Sequence, residues 1–338
     1  EDGESEHAIM AHMILVTGGT GFIGQALIRR FIEFGTQVRT LIRPSQTSPS
    51  LPKGVPVEVA VAGLDDLRGL RAAMVGVDTV YHLIGGEWKG ARADLMRIDI
   101  LGTQNVLQAC QDAKVERFFY LSHLGADRAS AYPVFKAKAI AEEYIRRSGL
   151  EFTILRTAMV FGAGDGFTTG LAQLLHAPLA PILVPGEGSS LLQPIWVEDL
   201  ATCLVWALDD ITTKRRVFEV GGPEYLTFRQ IIEIIQQKLH THRSLVGVSP
   251  AMLKRLTIIL EDLFPGLPVS QYWVDYLTVN RTCALDTLPR EFHLMPSRFS
   301  HRLDYLNLTD WGKEFRRNLS PRRNRKRPEK QKDQRGKQ

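Results

Sequence analysis

The chain has 338 residues, 44% apolar and 23% charged, the proportions of a globular protein long enough to bury a sizeable core. No stretch approaches 18 uninterrupted apolar residues, so no membrane-spanning helix is expected. Of its 42 Lys/Arg and 37 Asp/Glu, residues 316–338 hold 11 and 2, which turns a net charge of +5 into a mildly acidic body and a basic tail.

The first twelve residues, EDGESEHAIMAH, lack the basic start and apolar stretch of a secretory signal and read as an extension ahead of the fold. MILVT (13–17) predicts a first strand that runs into glycines. Apolar groups at Phe22, Ile23, Ala26, Leu27, Phe31 and Phe34 have helical spacing and predict a helix over 22–34. Strands follow at 37–42, 57–61, 78–84, 117–122 and 152–156, with helices at 65–75, 93–113 and 134–147 between them. Gly149 is suited to end the last of these helices. Strands alternating with helices predict a parallel sheet covered on both faces.

Beyond Gly162 the glycines and prolines crowd and the pattern loosens, with helices expected near 197–209, 227–239 and 250–264. Such late elements build a smaller lobe over the sheet's carboxyl edge, where ligands bind. The expected fold is α/β: a Rossmann-like doubly wound parallel sheet with a smaller C-terminal α/β lobe and a disordered basic tail. The expected divisions are a flexible extension (1–12), a dinucleotide-binding domain (13–162), a lobe interleaved with the sheet (163–317) and the tail (318–338). Three widely spaced cysteines, Cys110, Cys203 and Cys283, argue for a reducing compartment and against a disulfide framework. No His or carboxylate cluster has metal-ligand spacing, so no metal is expected.

The glycine loop is Gly18-Gly19-Thr20-Gly21-Phe22-Ile23-Gly24, a G-x-x-G-x-x-G pattern between a strand and a helix. Side chains there would block the turn or hold a pyrophosphate away from the backbone, and the following helix offers free N–H groups and its positive end. The second strand ends at Arg43. An acidic residue there would take the ribose 2′-OH of NAD, whereas a guanidinium suits the 2′-phosphate of NADP. The cofactor expected is NADP(H), with NAD(H) as the alternative.

With VTGGTGFIG (16–24), GVDTVYHLIG (76–85), FFYLSHLGAD (118–127), KAKAIAEEYIRRSGLEFTILR (136–156) and QPIWVEDLA (193–201), the chain resembles the short-chain dehydrogenase/reductase superfamily. It is most similar to the atypical, NmrA-like and extended-type members, in particular the branch of the NAD(P)H-binding accessory subunit of respiratory complex I and its bacterial relatives. The resemblance covers about residues 13–310. It implies that Gly18, Thr20, Gly21, Phe22, Ile23 and Gly24 hold the pyrophosphate and that Arg43 meets the 2′-phosphate. Leu83, Ile84 and Gly85 would line the adenosine side, Ser122 would sit beside the nicotinamide, and one lysine would hold the nicotinamide ribose. Two stretches depart from the family: Ala62-Gly63-Leu64, where members often carry an aspartate, and Arg156-Thr157, where an Arg-Pro pair is common.

Active members pair a tyrosine acid/base with a lysine four residues on, which holds the ribose and lowers the tyrosine pKa. The literal match is Tyr132–Lys136. The family pattern continues, however, with a glutamate four residues beyond the lysine and a Ser-Gly-Leu turn. Lys138, Glu142 and Ser148-Gly149-Leu150 fit that pattern without a gap, which favours Lys138 and puts Val134 in the tyrosine position. Tyr132 then lies about 600° around a helix from Lys138, and Pro133 suits a first helical turn that leaves Tyr132 at the cap. Packing at the helix entrance is the favoured reading of Tyr132 and acid/base work the alternative. His123, at the end of the fifth strand, is the other candidate. His82, inside the fourth, reads as a satisfied core residue, and Asp165 and Asp199 as caps or structural acceptors.

The tail's RRNRKRPEK would attract anionic lipid or, as a weaker prospect without interleaved aromatics, nucleic acid. The stretch 250–264 fits either a membrane or subunit surface or, more commonly, a core helix face. The first reading is an NADP(H)-binding protein with a structural, assembly or redox-sensing role at a membrane respiratory or photosynthetic complex. It would be cytoplasmic, or peripheral on the inner face of the membrane or its matrix or stroma equivalent. An active NADPH-dependent reductase or epimerase of a small or lipid-like substrate is the alternative, with Lys138, Ser122 and either Tyr132 or His123 at work. A third reading is an NmrA-like cofactor-sensing regulator.

Overall fold

The structure is a computed structural model that describes residues 13–45, 49–178 and 181–319. The extension 1–12 and the tail from residue 320 lie outside the described residues. In chain order the first part comprises β1 (Met13–Thr17), α1 (Phe22–Glu33), β2 (Gln37–Ile42), β3 (Glu58–Val61), α2 (Leu67–Ala73), β4 (Thr79–His82), α3 (Gly102–Asp112), β5 (Arg117–His123), α4 (Pro133–Arg147) and β6 (Glu151–Thr157).

Then come β7 (Val160–Phe161), α5 (Thr168–His176), β8 (Ile182–Pro185), β9 (Leu191–Leu192), β10 (Ile195–Trp196), α6 (Val197–Asp209), β11 (Arg216–Val220) and β12 (Leu226–Thr227). The chain closes with α7 (Phe228–Lys238), β13 (Leu245–Val248), α8 (Pro250–Leu263), α9 (Gln271–Leu277), α10 (Thr287–Phe292) and α11 (Trp311–Leu319). The last helix carries regular structure past the expected boundary at Asn318.

Seven strands form one parallel sheet in the order β11-β6-β5-β4-β1-β2-β3. Both faces are covered, which explains the near-continuous apolar strands. On one face Leu27, Ile28 and Phe31 of α1, Leu200 and Leu204 of α6 and Phe292 of α10 pack on Ile14, Val16, Phe119 and Leu155. On the other, Leu70, Val106, Leu107, Ala141 and Ile145 of α2, α3 and α4 pack on Leu15, Val80, Phe118 and Ile154. Strand order reverses between β1 and β4, which opens the crevice where such sheets take ligands. The later chain interleaves with this sheet through α6, α10 and β11. It also builds a lobe whose core includes Phe161, Leu171, Ile231, Tyr276, Phe299 and Trp311.

The single helix expected over 93–113 runs unbroken from Leu95 to Asp112 but is widened at its start: Met96–Leu101 form a π-helical turn that continues into the α-helix Gly102–Asp112, and Glu87–Arg92 ahead of it are two 3₁₀ turns kinked at Gly90. The cause is local. Thr103 Oγ1 donates to the Asp99 carbonyl at 2.6 Å, and the Asp99 carboxylate accepts the Gly86 N–H at 2.9 Å, both drawing Asp99 inward. Turns of this kind recur where a side chain must enter a site.

Candidate functional site

The glycine loop leaves β1 at the sheet's carboxyl edge. Gly18 has φ +80°, and its carbonyl accepts the Gly21 N–H at 2.9 Å to close the turn. A Cβ on Gly24 would run into the Gly18 carbonyl and Gly19 Cα, so the first turn of α1 lies directly on the loop. Gly21 caps α1 without a side-chain acceptor, and Thr20 and Gly21 are exposed. The first N–H groups of the helix are therefore available to an anion. The loop after β4 abuts this turn: a Cβ on Gly18 would stand 3.2 Å from the Ile84 nitrogen, and the Leu83 N–H donates to Thr17 O at 3.2 Å. Gly18 to Gly24 thus form one shallow backbone cradle with Leu83, Ile84 and Gly85 along one edge. Arg43 is exposed just past the carboxyl end of β2. These residues fit the pyrophosphate and adenosine end of a dinucleotide.

At the other end of the crevice the structure separates the two lysines. Lys136 is exposed, while Lys138 is 2% exposed and its Nζ lies 3.1 Å from Asp99 Oδ1. Glu87 turns back over Gly85 and approaches His123, with Oε1 3.4 Å from Nε2. Burial works against the Lys138 charge, but Tyr120, Glu87 and Asp99 outweigh it and raise its pKa above the ordinary lysine value. Burial likewise opposes ionisation of Glu87, yet Lys138 and His123 pull its pKa well below the usual carboxylate range. For Asp99 burial wins over Lys138, and its pKa is raised. One buried ammonium thus serves two carboxylates, and Asp99 is the one that takes up a proton more readily.

The remaining candidates fall differently. Tyr132 is the cap of α4, with Pro133 in its first turn, and its ring meets Phe135 edge-on at 6.2 Å. Tyr132 and Val134 both pack on the lobe core. Ser122 is fully buried, and its hydroxyl donates to Glu142 Oε1 at 2.7 Å. Because strand side chains alternate, Ser122 shares the α4-covered face with Phe118 and Tyr120. The same carboxylate also accepts from Arg156 at 2.8 Å and Arg146 at 3.0 Å. His123 faces Tyr272, with ring centroids 5.8 Å apart. His82 is satisfied on both nitrogens, by Thr17 at 2.7 Å and Thr103 at 3.1 Å, and burial with Lys138 nearby pushes its pKa down to about 3. Asp165 accepts from the Gly162 and Thr168 backbone at 2.8 and 2.6 Å, and Asp199 from Ser297 at 2.7 Å.

Aromatic side chains from α9 pack beside His123 and Phe135, Tyr272 against both rings and Tyr276 against Phe135. Tyr272 and Tyr276 are 8% and 1% exposed, and the Arg281 guanidinium lies 3.8 Å from the centre of the Phe135 ring. Reading the sequence by motif missed Glu87, Asp99, Tyr272, Tyr276 and Arg281. The signal for Asp99 was an acid inside the apolar run Ile98-Asp99-Ile100. A separate open cleft of 740 Å³ lies between α4 and the sheet edge, lined in part by Glu142, Arg146, Arg156 and Glu219. Its arginines are paired with its own acids, and no residue of the glycine loop lines it.

A parallel sheet with a strand-to-helix glycine cradle at its switch point defines a dinucleotide-binding protein. The model of the NAD dependent epimerase/dehydratase family matches residues 14–221, and the chain belongs to that family. Among curated relatives it is 29% identical over 230 residues to the mitochondrial NADH dehydrogenase (ubiquinone) 1 alpha subcomplex subunit 9 of Arabidopsis thaliana. That alignment covers 65% of this chain and 56% of the plant subunit. It is 24% identical over 244 residues to the photosystem II assembly factor Ycf39 of Cyanophora paradoxa, covering 71% and 73% of the two chains. It is 26% identical over 324 residues to the 2-alkyl-3-oxoalkanoate reductase of Stenotrophomonas maltophilia, covering 84% and 94%. Among solved structures, gox2253 superposes with a TM-score of 0.70 at 21% identity over 89% of this chain and 98% of that one, a likeness of fold.

Proposed function

We propose that this chain holds NADP(H) as a resident ligand, not as a turning-over substrate, and serves a structural, assembly or redox-sensing role beside a membrane respiratory or photosynthetic complex. The observation that carries the reading is the state of the Lys138 neighbourhood. The position four residues before it is Val134, which packs on the lobe core, and its ammonium is buried against Asp99 and the Tyr120 ring. A bound nicotinamide supplies hydride chemistry, but a carbonyl reduction also requires a proton donor beside the reacting oxygen. On this reading the backbone of Gly18 to Gly24 binds the pyrophosphate and Arg43 takes the 2′-phosphate. Lys138 holds Glu87 and Asp99 in place across the ribose end. The subunit and assembly-factor relatives support the membrane-complex setting.

The test is nucleotide retention and turnover in the purified protein. NADPH should co-purify, and Arg43→Asp should weaken NADPH binding by about tenfold or more while leaving NADH binding little changed. No carbonyl substrate should drive its oxidation. The competing reading, an NADPH-dependent reductase or epimerase, draws on the His123–Glu87 contact and the reductase relative. Turnover that disappears in Tyr132→Phe or His123→Ala would establish that alternative and end the first reading.

A further inference from the structure

Glu87 follows the glycine pair Gly85-Gly86, a few residues past the carboxyl end of β4. Its carboxylate folds back over Gly85, where a Cβ would collide with it, and its Oε1 reaches to 3.4 Å from His123 Nε2 at the end of β5. It thus lies across the crevice, between the loop that edges the glycine cradle and the His123 side of Lys138. The Lys138 ammonium draws the Glu87 charge to this place and holds its carboxyl ionised.

The hold on Glu87 is incomplete. Its Oε2 is buried and has no hydrogen-bond partner among the described residues. Reaching water would supply the hydrogen bond that this oxygen lacks. Asp99 is held better: it accepts the Gly86 N–H at 2.9 Å and lies 3.1 Å from Lys138 Nζ. Lys138 therefore keeps a counter-ion when Glu87 leaves and is spared the cost of a lone buried charge. The segment that carries Glu87 is short and bounded by glycines, with Gly86 before it and Gly90, at φ 57° and ψ −131°, after it. Beyond Gly90 the chain is fastened to α8 by the Ala91 N–H, which donates to Glu261 at 3.1 Å. That helix was expected most simply as a core face, and it is not one: Thr257 is its one fully buried residue.

We infer that Glu87 is a latch on the ribose end of the crevice: its carboxylate takes the place beside Lys138 that the nicotinamide ribose needs, and nucleotide entry turns it out on the segment between Gly86 and Gly90. The inference rests on the nucleotide reading proposed above and adds a regulation to it. The adenosine half of the nucleotide, seated on Gly18 to Gly24, does not reach the latch; the nicotinamide half opens it. A closed latch lowers the apparent affinity for the whole nucleotide in proportion to the fraction of molecules that are open. A ligand that ends at the 5′-phosphate meets no such cost.

The experiment is isothermal titration of the wild-type chain and Glu87→Gln with NADPH and with adenosine 2′,5′-bisphosphate, which carries the adenosine half alone. Glu87→Gln should bind NADPH about tenfold more tightly than wild type does, and the bisphosphate equally. A second measurement keeps Glu87 in place: an environment-sensitive fluorophore on Lys89→Cys, selective because all three native cysteines are buried. Its emission should change on adding NADPH and stay constant on adding the bisphosphate. NADPH binding to Glu87→Gln no tighter than to wild type, equal tightening of both ligands, or an emission that ignores NADPH or answers both ligands alike would overturn the latch and leave the nucleotide reading standing. Failure of both ligands to bind either protein would end that reading and the latch with it.

Discussion

Replacing Lys138 by methionine removes the ammonium that serves the buried Asp99 and the partly buried Glu87. At 3.1 Å from Asp99, and with an effective dielectric constant of about 20, the attraction lost is about 5 kcal/mol. Part of that only offset the desolvation of both ions, and the net loss on breaking a buried pair from one side is about 3–5 kcal/mol. For a chain of this size the melting temperature should fall by roughly 4–7 °C at neutral pH. The sign of the pH dependence follows from the shifts. Lys138 pulls the pKa of both Glu87 and Asp99 downward, so without it both carboxylates favour protonation in the folded state. A raised carboxyl pKa leaves stability intact below the unfolded value near 4 and removes it as pH rises. The gap between wild type and variant should therefore widen from pH 4 to pH 8 and narrow on acidification. Adding Asp99→Asn should recover part of the loss, with a coupling of about 2–3 kcal/mol. Scanning calorimetry of the four proteins of this cycle is the assay. A Lys138→Met protein as stable as wild type at pH 8, or a double variant no better than the single one, would refute the ion-pair account.

The cradle, the buried histidine and the thiols give further expectations. Gly24→Ala places a methyl against the Gly18 carbonyl, so it should cost about 1–3 kcal/mol and abolish nucleotide retention, measured by melting and by chromatography of released nucleotide. His82 stays neutral in the fold because burial holds its pKa at about 3. Its stabilising contribution is complete above the unfolded value of about 6.5 and declines by about 1.4 kcal/mol per unit as pH falls toward 3. The acid limb of wild-type stability should thus be steeper than that of His82→Gln, and parallel limbs would count against it. Burial pushes the Cys110 and Cys203 thiols far up and Cys283 to about 12. Native protein should be silent to Ellman's reagent at pH 8 and release three thiols per chain in guanidinium; fast native labelling would contradict that burial.

Much of the sheet was readable because its central strands are buried on both faces and so appear as apolar runs. Ile14-Leu15-Val16 and Phe118-Phe119-Tyr120-Leu121 need no partner to be recognised. The glycine loop was readable for a different reason, since Gly18 and Gly24 occupy places where a side chain would collide with backbone. Short pairings such as β7–β10 and β9–β12 were not readable. Two residues carry no periodicity, and long-range contacts decide their conformation. Glu87 and Asp99 were missed because acids near a helix ordinarily face solvent. Only the wide turn at Met96–Leu101 and the fold of α4 against it bring Glu87, Asp99 and Lys138 together. Ser122 was assigned by its place in the chain, one residue before the strand end, while the alternation of side chains aims it at Glu142 on α4.

The segment Glu87–Arg92 joins the Lys138 neighbourhood to α8. Its first residue carries a carboxylate toward Lys138 and His123. Its last residues are fastened to α8, Ala91 to Glu261 and Arg92 to Asp262. Between them Gly90 has φ 57° and ψ −131°, a backbone state that other residues rarely adopt, and a Cβ there would strike Glu261. A chain of six residues so anchored has little freedom to move one end alone. On the proposed nucleotide reading, a group that displaced Glu87 would therefore have a short path to α8. Gly90→Ala tests that path. It should loosen the fastening to α8 and let Glu87 yield more readily to nucleotide. Isothermal titration with NADPH should show an altered affinity, and an unchanged affinity in a protein of normal melting temperature would mean the two ends move independently.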